Sequence, residues 1–315
     1  MERRHGELAL GLAALGRPGY ITLGHAADLE GVYEVQAMER RCHAVLDAAW
    51  AAGIRWFDAA RSYGRAEEFL AHWLNERAVA PGALTVSSKW GYRYVAEWSV
   101  RAEQHEIKDH SDAALTRQSE ETRALLGPHL SLYQVHSATI ESGVLEDRTV
   151  LEHLAALRDQ GLAVGLSLSG ARQSATLERA LEIEIGGRPL FQAVQATWNL
   201  LERSVEPALH RAKQAGLRVL VKEALANGRL AGERAPEGLK SEAARQGTTV
   251  DAVALGVALA QPFADVVLSG AATPAQLREN VSARAVDGRE AAARLGSLVE
   301  TPERYWKTRA ALPWH

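Results

Sequence analysis

Short apolar runs alternate along the chain with longer stretches in which apolar residues recur every three or four positions. Eight runs read as strands: residues 8–13, 54–57, 84–88, 132–135, 162–168, 193–197, 217–221 and 265–268. Their brevity and their Val, Leu and Ile content suit strands covered on both faces. Between them lie amphipathic stretches. Residues 38–52 place Met38, Cys42, Val45, Leu46 and Ala49 on one face, and Gly53 supplies a left-handed exit. Ser111 is placed to cap a helix that runs to Gly127. Thr149 and Glu152 have capping-box spacing ahead of a helix ending at Gly161, and Ser204 stands where a cap would start a helix ending near Gly216. Residues 174–184, 249–260 and 274–283 complete the helical set.

Strand–helix alternation with few hairpin signals predicts parallel βαβ units. No Pro- or Ser-rich linker interrupts them, so residues 1–315 read as one domain. Eight units can close into a barrel or lie open as a doubly wound sheet. The open dinucleotide fold carries G-x-G-x-x-G after its first strand, and neither that motif nor a Walker loop occurs here. The expected fold is therefore a closed (β/α)8 TIM barrel, whose length range accommodates this chain.

Composition adds exclusions. With 47% hydrophobic and 24% charged residues, the chain can build a large core. A net charge of -3 gives no reason to expect a nucleic-acid or anionic-membrane partner. A single cysteine, Cys42, excludes an intramolecular disulfide and a cysteine-rich metal site. It reads as a small buried helix residue, and this usage favours a cytoplasmic location. The start, residues 1–18, pairs two arginines with an apolar stretch interrupted by glycine, followed by Arg17-Pro18-Gly19, which reads against a secretion signal. No run has the length of a membrane span. His105, His110, His129 and His153 show no paired metal spacing and read as solvated, and no metal is expected.

A barrel gathers its reactive groups at the carboxyl ends of its strands. Asp58, Lys89, His136 and Lys222 directly follow the second, third, fourth and seventh runs, and Ser167, Ser169 and Gln195 lie within or at the ends of others. Tyr63 is five residues beyond Asp58 and can turn back over the same rim. Tyrosine titrates near 10, too high for easy proton exchange at neutral pH. A neighbouring Lys89 ammonium would lower that value, Asp58 would hold the lysine, and His136 would orient a carbonyl oxygen. Tyr63 would then pass a proton to that oxygen, or take it back in the oxidising direction.

These residues stand in contexts that resemble the aldo-keto reductase superfamily. The segment from Gly53 through Asp58 and Tyr63 to Gly64 is similar to its signature. Lys89 in Val86-Ser-Ser-Lys89-Trp90, and His136 in Leu132-Tyr-Gln-Val-His136, match its lysine and histidine. The likeness continues through Gly165-Leu-Ser167, Gln195 to Arg203, and Thr273 to Asn280, over nearly the whole chain. It implies NADPH lying across the barrel mouth, with NADH as the rival, and a small carbonyl or alcohol substrate such as an aldehyde, ketone, sugar or lactol. Ser167 and Gln195 would contact the nicotinamide carboxamide, and Glu279 and Asn280 the adenine end.

The chain departs from the family pattern at several points. Leu168 stands where asparagine is common, and Lys222-Glu223 where an aromatic often stacks on nicotinamide. Gly270 and Gln276 occupy the places of phosphate-reading basic residues, for which Arg278 or Arg229 would substitute. Lys222 supports a different reaction class, a Schiff-base aldolase, although pairing with Glu223 or with cofactor phosphates explains it as well. A catalytically silent cofactor-sensing barrel is a third reading, which the presence of all four catalytic types disfavours. Trp90, next to Lys89, and Trp306, in the C-terminal segment, are candidate substrate contacts. The polar stretch 91–110 reads as a rim loop.

Overall fold

The computed structural model describes residues 6–314; the ends of the expected 1–315 domain, including the arginine pair weighed as part of a secretion signal, lie outside the described residues. Eight parallel strands close into a barrel: β1 (Glu7–Gly11), β2 (Trp56–Asp58), β3 (Thr85–Trp90), β4 (Leu130–Ala138), β5 (Ala163–Leu168), β6 (Ala193–Thr197), β7 (Arg218–Lys222) and β8 (Val266–Ser269). Each pairs with its sequence neighbours, and β1 pairs with β8 to close the ring. No helix among the described residues is long and apolar enough to cross a membrane.

Strand periodicity explains where the polar layer sits. Side chains two apart share a face. Trp56, Leu132, Ala193 and Leu220 belong to a small apolar cluster separate from the main core, which fills the barrel floor. Two residues further on come Asp58, Gln134, Gln195 and Lys222, so the next interior layer up is polar. The alternate residues Phe57, Tyr133, Val194 and Val221 pack outward in the main core. Gly165 has a clear steric role in the floor. A Cβ there would stand 2.8 Å from the Ala193 carbonyl oxygen and 3.2 Å from Leu132 Cδ1.

The helices follow the amphipathic stretches, with differences that have physical reasons. Val35–Ala51 buries all five residues of the expected face, and Gly53 has φ 79°. Ser111 caps Asp112–Leu126 by accepting from Ala114 N. The cap expected at Thr149 lies two residues earlier, at Asp147, whose carboxylate accepts from Val150 N, so the helix starts at Arg148. Ser204 caps nothing: its hydroxyl turns to Glu202, and the helix Glu206–Gln214 opens with Pro207 in its first turn. The helix Ala66–Glu76, which buries Phe69, Leu70, Trp73 and Leu74, was not foreseen, nor were Glu237–Gln246 and Pro302–Ala310. The rim stretch 91–110 carries an antiparallel pair, Tyr92–Tyr94 with Glu106–Lys108. The four histidines taken as solvated are engaged. His105 is buried with its ring stacked on Trp314, 4.1 Å between centroids, and His110 bonds the His136 carbonyl at 2.8 Å. His129 bonds the Val79 carbonyl and His153 the Asp112 carboxylate.

Candidate active site

The β2 and β3 registers set Asp58 beside Ser87, and the interior periodicity brings Lys89 up on the same side. The Lys89 ammonium is bonded to the Asp58 carboxylate, donates to the Ala59 carbonyl at 2.9 Å and reaches the Tyr63 hydroxyl at 3.3 Å. Lys89 is 0% and Asp58 2% exposed, so the pair is desolvated. The other Asp58 oxygen accepts from Ser87 Oγ at 2.7 Å, Gln195 Nε2 at 3.2 Å and Gln134 Nε2 at 3.3 Å. A buried carboxylate with one cation and three neutral donors has its lone pairs well used.

Tyr63 reaches this pair from the turn after β2. Arg65 N donates to the Gly16 carbonyl at 2.7 Å, and a side chain on either Gly16 or Gly64 would collide with backbone of the other loop. The glycines therefore let the β1 loop hold the tyrosine turn backbone to backbone. Behind it, buried Glu67 is ion-paired with Arg61 and accepts from Ser88 Oγ and Thr122 Oγ1, which ties the turn to the outer face of β3.

His136 comes to the mouth through a β-bulge. The β4–β5 register shifts between Val135 and Ala138, Ser137 has φ 51°, and Ser137 N donates to Ser167 Oγ at 2.8 Å. Such a bulge re-aims a side chain at the rim. The His136 ring stands edge-on to Tyr63 at 5.5 Å and to Tyr92 at 5.0 Å, and Nδ1 lies 3.3 Å from Ser62 Oγ. Burial, reinforced by the Lys89 and Arg17 charges, holds its pKa well below the ordinary imidazole value, so the ring is neutral.

The expectation that Lys89 makes Tyr63 more acidic is not met in the protein as it stands. Burial first, and the Asp58 charge second, hold the Tyr63 phenol well above its usual pKa. The lysine's charge is already paired with Asp58, and desolvation acts on the phenolate directly.

Asp58, Tyr63, His136, Ser167, Gln195 and Lys222 line one cavity of about 400 Å³. Its volume suits a small-molecule site. Gln276 and Asn280 line it on the β8 side, where Asn280 Nδ2 donates to Ser269 Oγ and Gln276 Nε2 to Asp28. Other expected residues stand apart. Trp90 is fully buried in the core, 5.7 Å from the His110 ring, because it points to the outer face of β3. Trp306 packs on Tyr305 and Arg309 outside the cavity lining. Arg229 is drawn away by a two-pronged pairing with Glu300. Glu279 is exposed on the helix Pro274–Val281 and does not reach the lining. Arg278 is likewise exposed and off it.

Lys222 lies beside Thr197 in the β6–β7 register, donates to its Oγ1 at 2.8 Å and sits 3.6 Å from Glu223. Pairing with Glu223, one of the readings of this lysine, is thus present. Burial brings the Lys222 pKa down to about 8, while Arg309 and Lys222 hold Glu223 down to about 2. Arg309 grips Glu223 through Nε and a terminal nitrogen, and Glu223 itself has φ 56°. This clamp, from the helix Pro302–Ala310, was not foreseen. Neither was Arg17, which is 2% exposed, bonds Glu106 at 2.6 Å and the Ser62 carbonyl at 3.0 Å, and lies over the rings of Tyr20, Tyr63 and Trp314. These groups come from loops and the C-terminal segment, which a strand-end rule does not sample.

The donor set fits a nicotinamide dinucleotide: side-chain amides and hydroxyls near the proton-bearing Tyr63, and further amides at the β8 end. Among the described residues no group of three His, Cys, Asp or Glu is placed to hold a metal.

Comparison with known proteins agrees with this arrangement. Two solved structures described as an aldo-keto reductase from Pseudomonas aeruginosa are each 24% identical, one with TM-score 0.63 over 92% of both chains, the other with 0.62 over 92% of this chain and 91% of that one. An aldo-keto reductase from Bacillus halodurans, solved in its holo form, is 20% identical with TM-score 0.68 over 95% of this chain and 96% of that one. These likenesses concern the fold. No curated protein sequence matches the chain. The sequence profile described as Aldo/keto reductase family matches residues 8–290, and the chain belongs to that family of carbonyl oxidoreductases.

Proposed function

We propose that this protein interconverts an aldehyde or ketone and its alcohol, with Tyr63 as the proton donor and acceptor and a nicotinamide dinucleotide as the redox partner. When bound, the dinucleotide supplies or accepts the hydride. The observation that carries the reading is the Tyr63 hydroxyl 3.3 Å from Lys89 Nζ, at a cavity that His136 shares. A phenol held well above its usual pKa stays protonated at neutral pH, so the proton is present but weakly acidic until the phenolate is stabilised. As the proton leaves, the Lys89 ammonium already donating to that oxygen stabilises the charge left behind. In the tautomer in which Ser62 Oγ donates to Nδ1, neutral His136 carries its proton on Nε2 and would offer it to the substrate oxygen. Ser167 and Gln195 serve the nicotinamide carboxamide, and Lys222 the phosphates. Tyr20, Tyr92 and Trp314 form the substrate wall.

The test pairs dinucleotide titration with turnover of a panel of aldehydes and ketones. Tyr63→Phe is expected to keep the dinucleotide Kd and lose about 10²–10⁴ in kcat. Near wild-type kcat in that variant, on a substrate showing a deuterium isotope effect, would refute the role of Tyr63. A wild-type protein that binds dinucleotide yet turns over none of the panel would favour the cofactor-sensing alternative.

A further inference from the structure

The connection between β1 and the helix Val35–Ala51 lines the cavity. Arg17 lies over the Tyr63 ring, Asp28 accepts from Gln276, and Tyr20 and Thr22 to Gly24 line the cavity between them in sequence. The segment is fixed to the loop after β7. Leu23 N donates to the Asn227 carbonyl at 3.0 Å, and the Leu23 carbonyl accepts from Arg234 at 2.9 Å. Hydride chemistry at Tyr63 and His136 requires the nicotinamide half of a dinucleotide at their end. The adenosine half is then left with the end lined by Asp28, Asp251, Asn227, Gln276 and Asn280.

That end presents acceptors. Among the described residues Asp28 receives one side-chain hydrogen bond, from Gln276 Nε2 at 2.7 Å. Asp251 accepts from Gly232 N at 3.0 Å and from its own backbone N–H. Asn227 is 6% exposed, and its buried Oδ1 has no hydrogen-bond partner. The cation on this part of the lining is Arg234, with two nitrogens committed to the Leu23 and Gly228 carbonyls. Arg41 lies near Asp28 but is not on the lining and donates to the Leu29 carbonyl, while Glu279 adds a negative charge near Asp251. Burial pushes both aspartates above the usual carboxylate range, outweighing their hydrogen bonds and the Arg234 charge that reaches each.

Acceptors call for donors. A ribose carries two hydroxyls and an adenine an amine, whereas a phosphomonoester dianion brings acceptors and negative charge only. We infer that Asp28 and Asp251 make this end of the cavity a site for the unphosphorylated adenosine ribose of NAD(H) and select against the 2′-phosphate of NADP(H). This rests on the hydride-transfer reading and reverses the cofactor order that family resemblance implies.

The experiment is calorimetric titration of the intact protein with NADH, NADPH and ADP-ribose, repeated on Asp28→Asn, Asp251→Asn and the double variant, each checked by circular dichroism. NADH is expected to bind at least about tenfold tighter than NADPH, the scale of one poorly screened charge contact. The single variants narrow that ratio by tightening NADPH, and the double variant narrows it further. NADPH binding as tightly as NADH to the wild type, or a ratio unchanged in the folded double variant, would overturn the selectivity alone. Binding of neither dinucleotide would remove the hydride-transfer reading beneath it.

Discussion

Replacing Lys89 with methionine tests the buried pair at the centre of the site independently of any substrate. The side chain keeps its length and loses its charge. Asp58, 2% exposed, is then left ionised in the interior without a counter-ion. Breaking a buried pair by removing one partner generally costs about 3–5 kcal/mol. Here Ser87, Gln134 and Gln195 still donate to the carboxylate, so the lower end applies, about 3 kcal/mol. Asp58→Asn leaves the opposite orphan, an ammonium with the Ala59 carbonyl and the Tyr63 hydroxyl as its remaining partners. It should cost a similar amount. In the double variant neither charge is stranded, so its loss should fall short of the sum of the singles by about 2 kcal/mol.

Urea unfolding at constant m value measures all four proteins. Strict additivity, or a Lys89→Met loss under about 1 kcal/mol, would mean that the pair is better solvated than its burial indicates and would refute the reasoning. The same variant has a kinetic signature. Without the ammonium the phenol oxygen loses its hydrogen-bond donor, and Arg17 is the charge left to oppose burial and Asp58, so the pH–rate profile should move. An unmoved profile would separate Lys89 from the proton transfer.

Two further outcomes rest on single observations. Gly165→Ala should lose about 1–3 kcal/mol by thermal melting, since its Cβ would press on the Ala193 carbonyl oxygen and a backbone atom in the barrel floor cannot yield; an unchanged melting temperature would show that the floor has slack. His110, held by burial down to about 4 against an ordinary 6.5, should make stability fall as pH drops through that window, because the unfolded chain takes up the proton first. His136 shifts in the same direction and adds to the slope. His110→Gln should flatten it in urea unfolding between pH 7 and 4, and an identical slope would assign the effect elsewhere.

What the sequence reveals here follows from what alternation encodes. Period-two patterning and strand order place Asp58, Lys89, Gln195 and Lys222 at one end of one barrel before any coordinates are seen. The same alternation puts Trp90, one position beyond Lys89 in the strand, on the opposite face, which a pocket assignment made from adjacency alone overlooks. The helix Ala66–Glu76 had its signal in Phe69, Leu70, Trp73 and Leu74, but it starts three residues past Tyr63, in a segment that also reads as an active-site loop. Capping preferences were ambiguous for a local reason. Asp147 and Thr149 both offer an oxygen to the first turn of the same helix, and sequence cannot rank them.

The largest misreading concerns Tyr63 and has the most general cause. Which charge would stand beside the phenol was legible, because Lys89 follows a strand whose neighbour ends in Asp58. How deeply the phenol would be desolvated was not, because that depends on Arg17, Tyr20, Tyr92 and Trp314, which arrive from loops and the chain's far end. Burial and the Asp58 charge win at rest, and the tyrosine holds its proton more firmly than an isolated phenol. On the proposed function, the lysine's contribution is deferred to the moment of transfer, when its donation to the oxygen would oppose the same desolvation. On that same proposal, a site built this way keeps its acid loaded at neutral pH and gives it up where a carbonyl oxygen is present to receive it.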